Sequence, residues 1–340
     1  MIDMGDKITA SWIAQGIHAV ATLGVADHMS RAPVAVSQLA AASGANEDAL
    51  YRVLRMLAPA GLFEEHWQRR FSLTDLGALL QTNNPNSMRS FAVYNGVPWH
   101  WGMWGELAES VRTGAPAPPD GAGESLFEFL ARDPDAAAIF DAAMADLSNA
   151  RDVSAISGYD FGRFKTVVDV GGGEGRLLKS VLAGFPAVSG VLYDLAEVIE
   201  RAVPRMIGDG FAPRCTLVPG NFFDSVPAGA DAYLLKQVLH DWPDDKAAVI
   251  LRNCQAAMDR DAVLLIIEML VPDGGEPSLA KLADIEMLIA TGGRERTLTQ
   301  YDALLAAAGL LRTGTHQTRS PFTIIEARRD LSAHLHEERV

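Results

Sequence analysis

Cysteine is scarce in this chain: only Cys215 and Cys254 occur among 340 residues, in no CxxC or Cys/His metal spacing. That scarcity argues against a disulfide framework and a structural zinc site, and it fits a reducing cytoplasm. Positive charge is also in deficit. The formal net charge is −14, and no long Lys/Arg block appears. The electrostatic footprint of a nucleic-acid or anionic-membrane binder is therefore missing, and the expected ligand is small. A long apolar run is lacking too. Residues Ile8 to Ala26 carry no Asp, Glu, Lys or Arg, but Thr9, Ser11, Gln15, Gly16, His18, Thr22 and Gly24 interrupt them. With no basic leader before a compact apolar stretch, this segment reads as a buried helix rather than a membrane span or signal peptide. No internal repeat or low-complexity tract occurs.

At this length the chain has room for two folded units, and 49% apolar with 21% charged residues is the composition of a globular enzyme. In the first hundred residues Ile8, Trp12, Ile13, Ile17, Val20 and Leu23 recur at helical spacing, a wide stripe that needs a large partner surface. Next come a helix, a turn at Gly44, a helix from about Asn46 and a hairpin around Trp67, the order of a winged helix. Asn46 can cap its helix, while Glu47 and Asp48 suit the positive end. Those acids offset Arg52 and Arg55 on the would-be recognition helix, so dimerisation is the expectation and a DNA-binding regulator the alternative. The Pro/Gly-rich VRTGAPAPPDGAG, Val111 to Gly123, is a loop or linker, with helical segments running from Glu124 to about Ser157.

From Lys165 short β-branched runs alternate with helices: TVVDVG, GVLYDL, CTLVPGN, AYLLKQVL, AVLLIIEML, GTHQTRS and FTIIEAR. This alternation predicts an α/β fold with a doubly wound, mostly parallel, seven-stranded Rossmann-like sheet, whose ligands bind at the carboxyl ends of the strands.

Four glycines crowd the first strand-to-helix turn, in VVDVGGGEGRLL, Val167 to Leu178. One or two would make the turn, so four imply a ligand lying on bare backbone. A dinucleotide fingerprint fails because its third glycine falls on Arg176, and no GK[ST] follows to make a P-loop. That disfavours a nicotinamide oxidoreductase. Asp169 and Glu174 beside the turn would repel a pyrophosphate and suit a cation, a constraint that the sulfonium of S-adenosylmethionine satisfies. Gly171 and Gly173 would carry that cofactor. Asp194 ends the second strand, where its carboxylate can accept hydrogen bonds from both ribose hydroxyls; its plainer reading is a cap for the helix near Glu197. Asn221 and Phe222, after the third strand, could bind an adenine at its amine and its face.

The order DVGGGEG, YDL, GNFF, LLKQVLHDWPDD, IIEMLVP and DIEMLIATGGRERT resembles the S-adenosylmethionine-dependent small-molecule O-methyltransferases of the caffeic acid, acetylserotonin and bacterial polyketide-tailoring type. The resemblance covers nearly the whole chain. It implies a class I methyltransferase domain at 99–340, opening with a helical substrate-covering segment at 99–157. An N-terminal all-helical, winged-helix-like dimerisation domain, at 1–98, would precede it.

His240 closes the fourth strand, where an imidazole can take a phenolic proton, though a lone histidine is as often structural. The resemblance makes it the catalytic base, with Glu268 and Glu295 as the flanking acids; their plainer readings are a solvated strand end and an ion pair with Arg294 or Arg296. Asp241 reads mainly as the N-cap of the helix in WPDDKAAVILRNC, with the family placing an acid there beside the bound molecules. The resemblance further sets Lys236 near the adenosine and Ser148 near the methionine portion. It departs at Asn221, where the family has an acid. For the acceptor, Trp101, Met103, Phe140, Met144 and Met287 are candidate contacts, with Phe140 and Met144 matching positions that sandwich a flat aromatic substrate. We therefore expect a cytoplasmic, homodimeric O-methyltransferase acting without metal on a hydroxylated aromatic or polycyclic small molecule of secondary metabolism. The alternative is the same fold turned to C- or N-methylation or to a non-methylating reaction.

Overall fold

The computed structural model describes residues 3–121, 123–149, 154, 156 and 158–331, apart from the side chains of 148, 149, 205 and 207. Two compact units are formed, 1–107 with 117–150, and 108–116 with 151–340.

The first unit opens with α1 (Met4–Thr22), α2 (Val36–Ser43) and α3 (Glu47–Leu57). Gly44 ends α2 in the left-handed conformation (φ 68°), and Asn46 caps α3 by accepting from Ala49 N at 3.0 Å, as its sequence predicts. The domain is not wholly helical. β1 (Val34–Ala35) joins the hairpin of β2 (Phe63–His66) and β3 (Arg70–Leu73) in a small antiparallel sheet of order β1-β3-β2. Leu39, Leu50, Leu54, Leu57, Phe63 and Phe71 fill the core beneath it. The α1 stripe divides: Val20 is buried and Ile13 and Ile17 pack on this core, whereas Ile8 and Trp12 remain 68% and 66% exposed.

The boundary expected at residue 98 falls inside this unit. α4 (Arg89–Gly96), α5 (Pro98–Gly105), α7 (Leu126–Arg132) and α8 (Pro134–Asn149) belong with it, while α6 (Leu107–Thr113) lies almost wholly in the second. The reason is local. Asp146 on α8 accepts from Ser90 N (2.6 Å) and Phe91 N (3.2 Å), satisfying the open amides of α4, and Tyr94 packs on Trp99, His100 and Phe140.

The second unit holds β4 (Thr166–Val170), β5 (Ser189–Asp194), β6 (Cys215–Pro219), β7 (Ala232–Lys236), β8 (Val263–Met269), β9 (Leu310–Gln317) and β10 (Phe322–Arg329). Their order is β6-β5-β4-β7-β8-β10-β9, with β10 antiparallel to both neighbours and the rest parallel. Period-2 alternation sends Val168, Val170, Tyr233, Leu235, Leu264 and Ile266 into one apolar layer and Val167, Leu234, Leu265 and Ile267 into the other. Helices α9 (Arg176–Gly184), α10 (Ala196–Gly208), α11 (Asp244–Ala257), α12 (Leu279–Ala290) and α13 (Leu298–Ala307) complete the unit. Strand order reverses at β4, which pairs with β5 on one side and β7 on the other. The carboxyl ends of β4 and β7 therefore lie side by side at the switch point, where doubly wound sheets bind ligands.

Candidate active site

After β4 the chain turns through Gly171 to Gly175 into α9, and the glycines there do different work. A Cβ on Gly172 would lie 2.5 Å from Leu192 Cδ1 and 2.6 Å from Asp169 Cγ, so that residue is small because the turn packs against β5 and the buried Asp169. Packing likewise accounts for Gly171, against Val238 and Phe222, and Gly175, against Leu192 and Met206. Only Gly173, at φ +57°, faces space in which a Cβ would meet nothing within 4 Å. Of the four, then, three are small because the turn packs closely, and only Gly173 has open space beside its backbone.

Gly173 N donates to Asp194 Oδ2 at 2.8 Å, and Leu195 N donates to Oδ1 at 2.7 Å. Asp194 thus ties the end of β5 to the glycine turn, and burial raises its pKa against these two bonds. Asn221 accepts from Phe223 N at 2.9 Å, shaping its own turn with one lone pair of the amide oxygen and keeping another. Asn253 on α11 pins the same turn by donating to Phe222 O and Phe223 O, at 2.8 and 2.9 Å. Lys236 leans away from this region: its ammonium lies 5.2 Å over the Phe322 ring on β10, on the side of β7 opposite β4. The Ser148 side chain lies outside the described residues.

The chain leaves β7 through Gln237, a non-glycine residue at φ +51°, and enters the short turn Leu239–Asp241 that carries His240. Left-handed backbone at a bulky residue persists only where its surroundings impose it. Glu268, fully buried near the end of β8, does so by accepting from Val238 N and Leu239 N with the same Oε1, at 3.1 Å each. A second clamp comes from the strap GGRERT after α12. Gly293 comes so near that a Cβ would sit 2.0 Å from His240 O, Arg294 N donates to His240 O at 2.8 Å, and Glu295 N donates to Asp284 Oδ1 at 3.0 Å.

These contacts bring Glu295 Oε1 within 2.8 Å of His240 Nδ1; Glu268 Oε2 stands 3.8 Å from the same nitrogen, and Asp241 Oδ1 stands 3.7 Å from Nε2. Burial by itself would lower the pKa of His240, but Glu268, Asp241 and Glu295 outweigh it and raise it to about 10. Burial in turn raises Glu268 to about 7 and Asp241 to about 6, against the pull of the imidazolium. With Nδ1–H directed at Glu295, Nε2 is the nitrogen able to accept a proton. The imidazole and the two glutamates also form the one His/Cys/Asp/Glu group with metal-binding spacing among the described residues. Its nitrogen and one Glu268 oxygen are already hydrogen-bonded within the protein.

Asp241 is not the helix cap. Trp242 precedes a proline and is extended, so α11 begins only at Asp244, and Asp241 stands beside the imidazole instead. Nor does Glu295 pair with Arg296, which reaches Asp244. Met287 is half-buried on α12, one turn beyond Asp284 and on the same face. The other acceptor candidates lie in the first unit: Met103 is buried, Phe140 and Met144 are half-buried, and Trp101 is 39% exposed. Asp284, Trp242 and Arg296 lie inside the motifs DIEMLIATGGRERT and HDWPDD, but residue type and spacing give none of them a part in holding this site.

Residues 104–311 match the O-methyltransferase domain family and residues 6–83 match the O-methyltransferase dimerisation domain. The chain belongs to the S-adenosylmethionine-dependent O-methyltransferases. This methyltransferase is 39% identical to phenazine O-methyltransferase PhzM of Lysobacter antibioticus over 94% of each chain. It is 37% identical to the 8-amino-8-demethylriboflavin N,N-dimethyltransferase of Streptomyces davaonensis, over 93% of this chain and 92% of that one. The crystal structure of NcsB1, an O-methyltransferase from neocarzinostatin biosynthesis in complex with S-adenosylmethionine and 2-hydroxy-5-methyl naphthoic acid, superimposes with a TM-score of 0.80. That match has 35% identity and covers 93% of this chain and 95% of the other. The methyltransferase thus uses S-adenosylmethionine, and its own residues fit that cofactor. Gly173 leaves open space beside the backbone after β4, Asp169, Glu174 and Asp194 place acidic groups around that turn, and no GK[ST] sequence follows it. No described helix is long and apolar enough to cross a membrane.

Proposed function

We propose that this O-methyltransferase of secondary metabolism acts on a hydroxyl of an aromatic or polycyclic small molecule, with His240 as the base. The observation carrying the proposal is the buried pair His240 Nδ1 and Glu295 Oε1, 2.8 Å apart, on the turn that leaves β7 beside the glycine turn of β4. Glu295 holds the Nδ1 proton, leaving Nε2 as the acceptor of the substrate's hydroxyl proton. The neighbouring carboxylates stabilise the imidazolium once formed, and a conjugate acid near 10 matches the ordinary phenolic value of about 10. Proton transfer between the two is then nearly balanced. S-adenosylmethionine, when bound, supplies the electrophilic methyl group. Gly173 and Asp194 are the proposed contacts to its adenosyl portion and Asn221 and Phe222 those to the base. Met287, on the Asp284 face of α12, is proposed as an apolar wall for the acceptor. No step requires a metal, so turnover should persist in EDTA.

A second reading, transfer to an amine, draws on the similarity to the N,N-dimethyltransferase. One experiment separates the two: incubation with labelled S-adenosylmethionine and matched panels of phenols and arylamines, for wild type and His240→Ala. The expected result is methylated phenol from wild type, turnover lower by about 10²- to 10⁴-fold in the variant, and S-adenosylhomocysteine affinity retained. Equal turnover by both proteins would remove His240 from the chemistry, and product from arylamines alone would favour N-methylation.

A further inference from the structure

Arg296 is the largest fully buried side chain among the described residues, at 0% exposure. Its five N–H groups are all engaged. Nη1 donates to Leu239 O (2.8 Å) and Arg294 O (3.4 Å), Nη2 to Trp242 O (2.8 Å) and Asp244 Oδ1 (2.8 Å), and Nε to Asp244 Oδ1 (3.0 Å). Two of those acceptors, the carbonyls of Leu239 and Trp242, bracket His240. A third, Asp244, opens the helix that follows the same turn.

Burying a guanidinium carries a large desolvation penalty, and an apolar side chain of similar volume would fill the space as well or better. A fold that needed only packing here would not require a planar fork of donors. None of the five bonds reaches Glu295, although that residue is adjacent in sequence. The strap therefore uses Arg294 N and the Arg296 guanidinium, one on each side of Glu295, to grip the backbone on both sides of His240. With its flanks gripped in this way, Glu295 can hold its carboxylate at hydrogen-bond distance from Nδ1 although the two residues are 55 apart in the chain.

We infer that Arg296 is the positioning residue of the proton-transfer site: its guanidinium sets the distance between the His240 imidazole and the Glu295 carboxylate. The inference rests on the reading of His240 as the base, and it concerns geometry rather than contact with substrate. A lysine at this position would keep the charge but offer one rotating donor group instead of a rigid fork, so it could satisfy one carbonyl and lose the bracket.

The test compares wild type, Arg296→Lys, Asp244→Ala and His240→Ala, all as full-length protein with ¹⁵N-labelled histidine. The far-downfield imidazole proton that disappears in His240→Ala is the His240 Nδ1–H bonded to Glu295. Arg296→Lys is expected to melt cooperatively, to bind S-adenosylhomocysteine within about threefold of wild type, and to lose that resonance. Its kcat should fall by about 10- to 100-fold with KM nearly unchanged for a phenol that wild type methylates in the panel, the effect of an ångström-scale misplacement. Retention of the resonance together with wild-type kcat would overturn the inference, as would a fall in melting temperature alone. Should the lysine variant fail to fold, Asp244→Ala decides, because its side chain is largely exposed and the loss of its carboxylate leaves two of the five donors without their acceptor. A shifted resonance and a threefold or greater fall in kcat support positioning, and an unchanged resonance refutes it. If His240→Ala keeps full turnover, the base assignment fails, while the resonance in Arg296→Lys still reports whether the arginine sets the geometry.

Discussion

His240 Nδ1 hydrogen-bonds Glu295 Oε1 at 2.8 Å, whereas the carboxylate of Glu268 stands off at 3.8 Å and spends one oxygen on two backbone amides. The two acids are thus unequal. Glu295 addresses the imidazole, and Glu268 addresses the turn that presents it.

That inequality predicts opposite signatures on substitution. Glu268→Ala leaves Val238 N and Leu239 N buried without an acceptor, at about 1–3 kcal/mol each, and should lower unfolding stability in denaturant by several kcal/mol. Glu295→Gln should lower kcat by about 10²-fold with a much smaller loss of stability. Interchanged results would mean the roles have been assigned the wrong way round.

The glycine turn gives a paired prediction. Gly173→Ala adds a methyl where nothing stands within 4 Å, so the fold should survive with a loss of about 1–2 kcal/mol from the left-handed backbone, while calorimetry shows S-adenosylhomocysteine affinity falling tenfold or more. Gly172→Ala collides with Leu192 and Asp169 and should lose melting temperature first. Unaltered cofactor affinity in Gly173→Ala would place the ligand elsewhere.

The buried cluster sets the pH dependence of both rate and stability. Because His240 holds its proton up to about 10, the neutral base becomes more abundant as pH rises, and log kcat/KM should climb through pH 7 to 9. For stability, Asp241, Glu268 and His240 all have folded values above their ordinary ones, about 6, 7 and 10 against 3.8, 4.5 and 6.5. Between each pair of values the folded state binds more protons than the unfolded state. Each contribution is therefore complete below the unfolded value and disappears as pH rises through the folded one. The cluster's contribution should decline from about pH 4 to pH 10, and Glu268→Gln should flatten the melting-temperature profile between about pH 4.5 and 7. A bell-shaped rate profile falling above pH 8 would contradict the assignment.

Met4, Ile8 and Trp12, 70%, 68% and 66% exposed, follow one another at four-residue steps along one face of α1, and the last two lie within the matched dimerisation domain. The paired substitution Ile8→Asp with Trp12→Asp should convert a homodimer into monomers in light scattering. A dimer of unaltered mass would move the interface off this helix.

Much of this was legible in the chain itself. The seven β-branched runs mark strands because period-2 and period-3.6 patterns differ within a few residues, and Asn46 caps α3 because an amide oxygen at that spacing reaches Ala49 N. Asp241 has the residue type and spacing of a cap, but Pro243 keeps Trp242 extended and delays the helix to Asp244. The grouping of α4 with α8 is not legible locally, because the bonds of Asp146 to Ser90 and Phe91 join residues more than fifty positions apart.

Sequence alone determined the element order, the bare backbone after β4, the acidic surroundings that suit a sulfonium, and the presence of one histidine and two glutamates at strand ends and in the strap. Those properties depend on residue type and short spacing. Tertiary structure decided which glutamate meets the imidazole, which glycine has open space beside it and where Arg296 directs its donors, because each depends on segments brought together from distant parts of the chain. A hydrogen bond tolerates only a few tenths of an ångström, and that tolerance is set by the packing of β7, β8 and the GGRERT strap rather than by any local pattern.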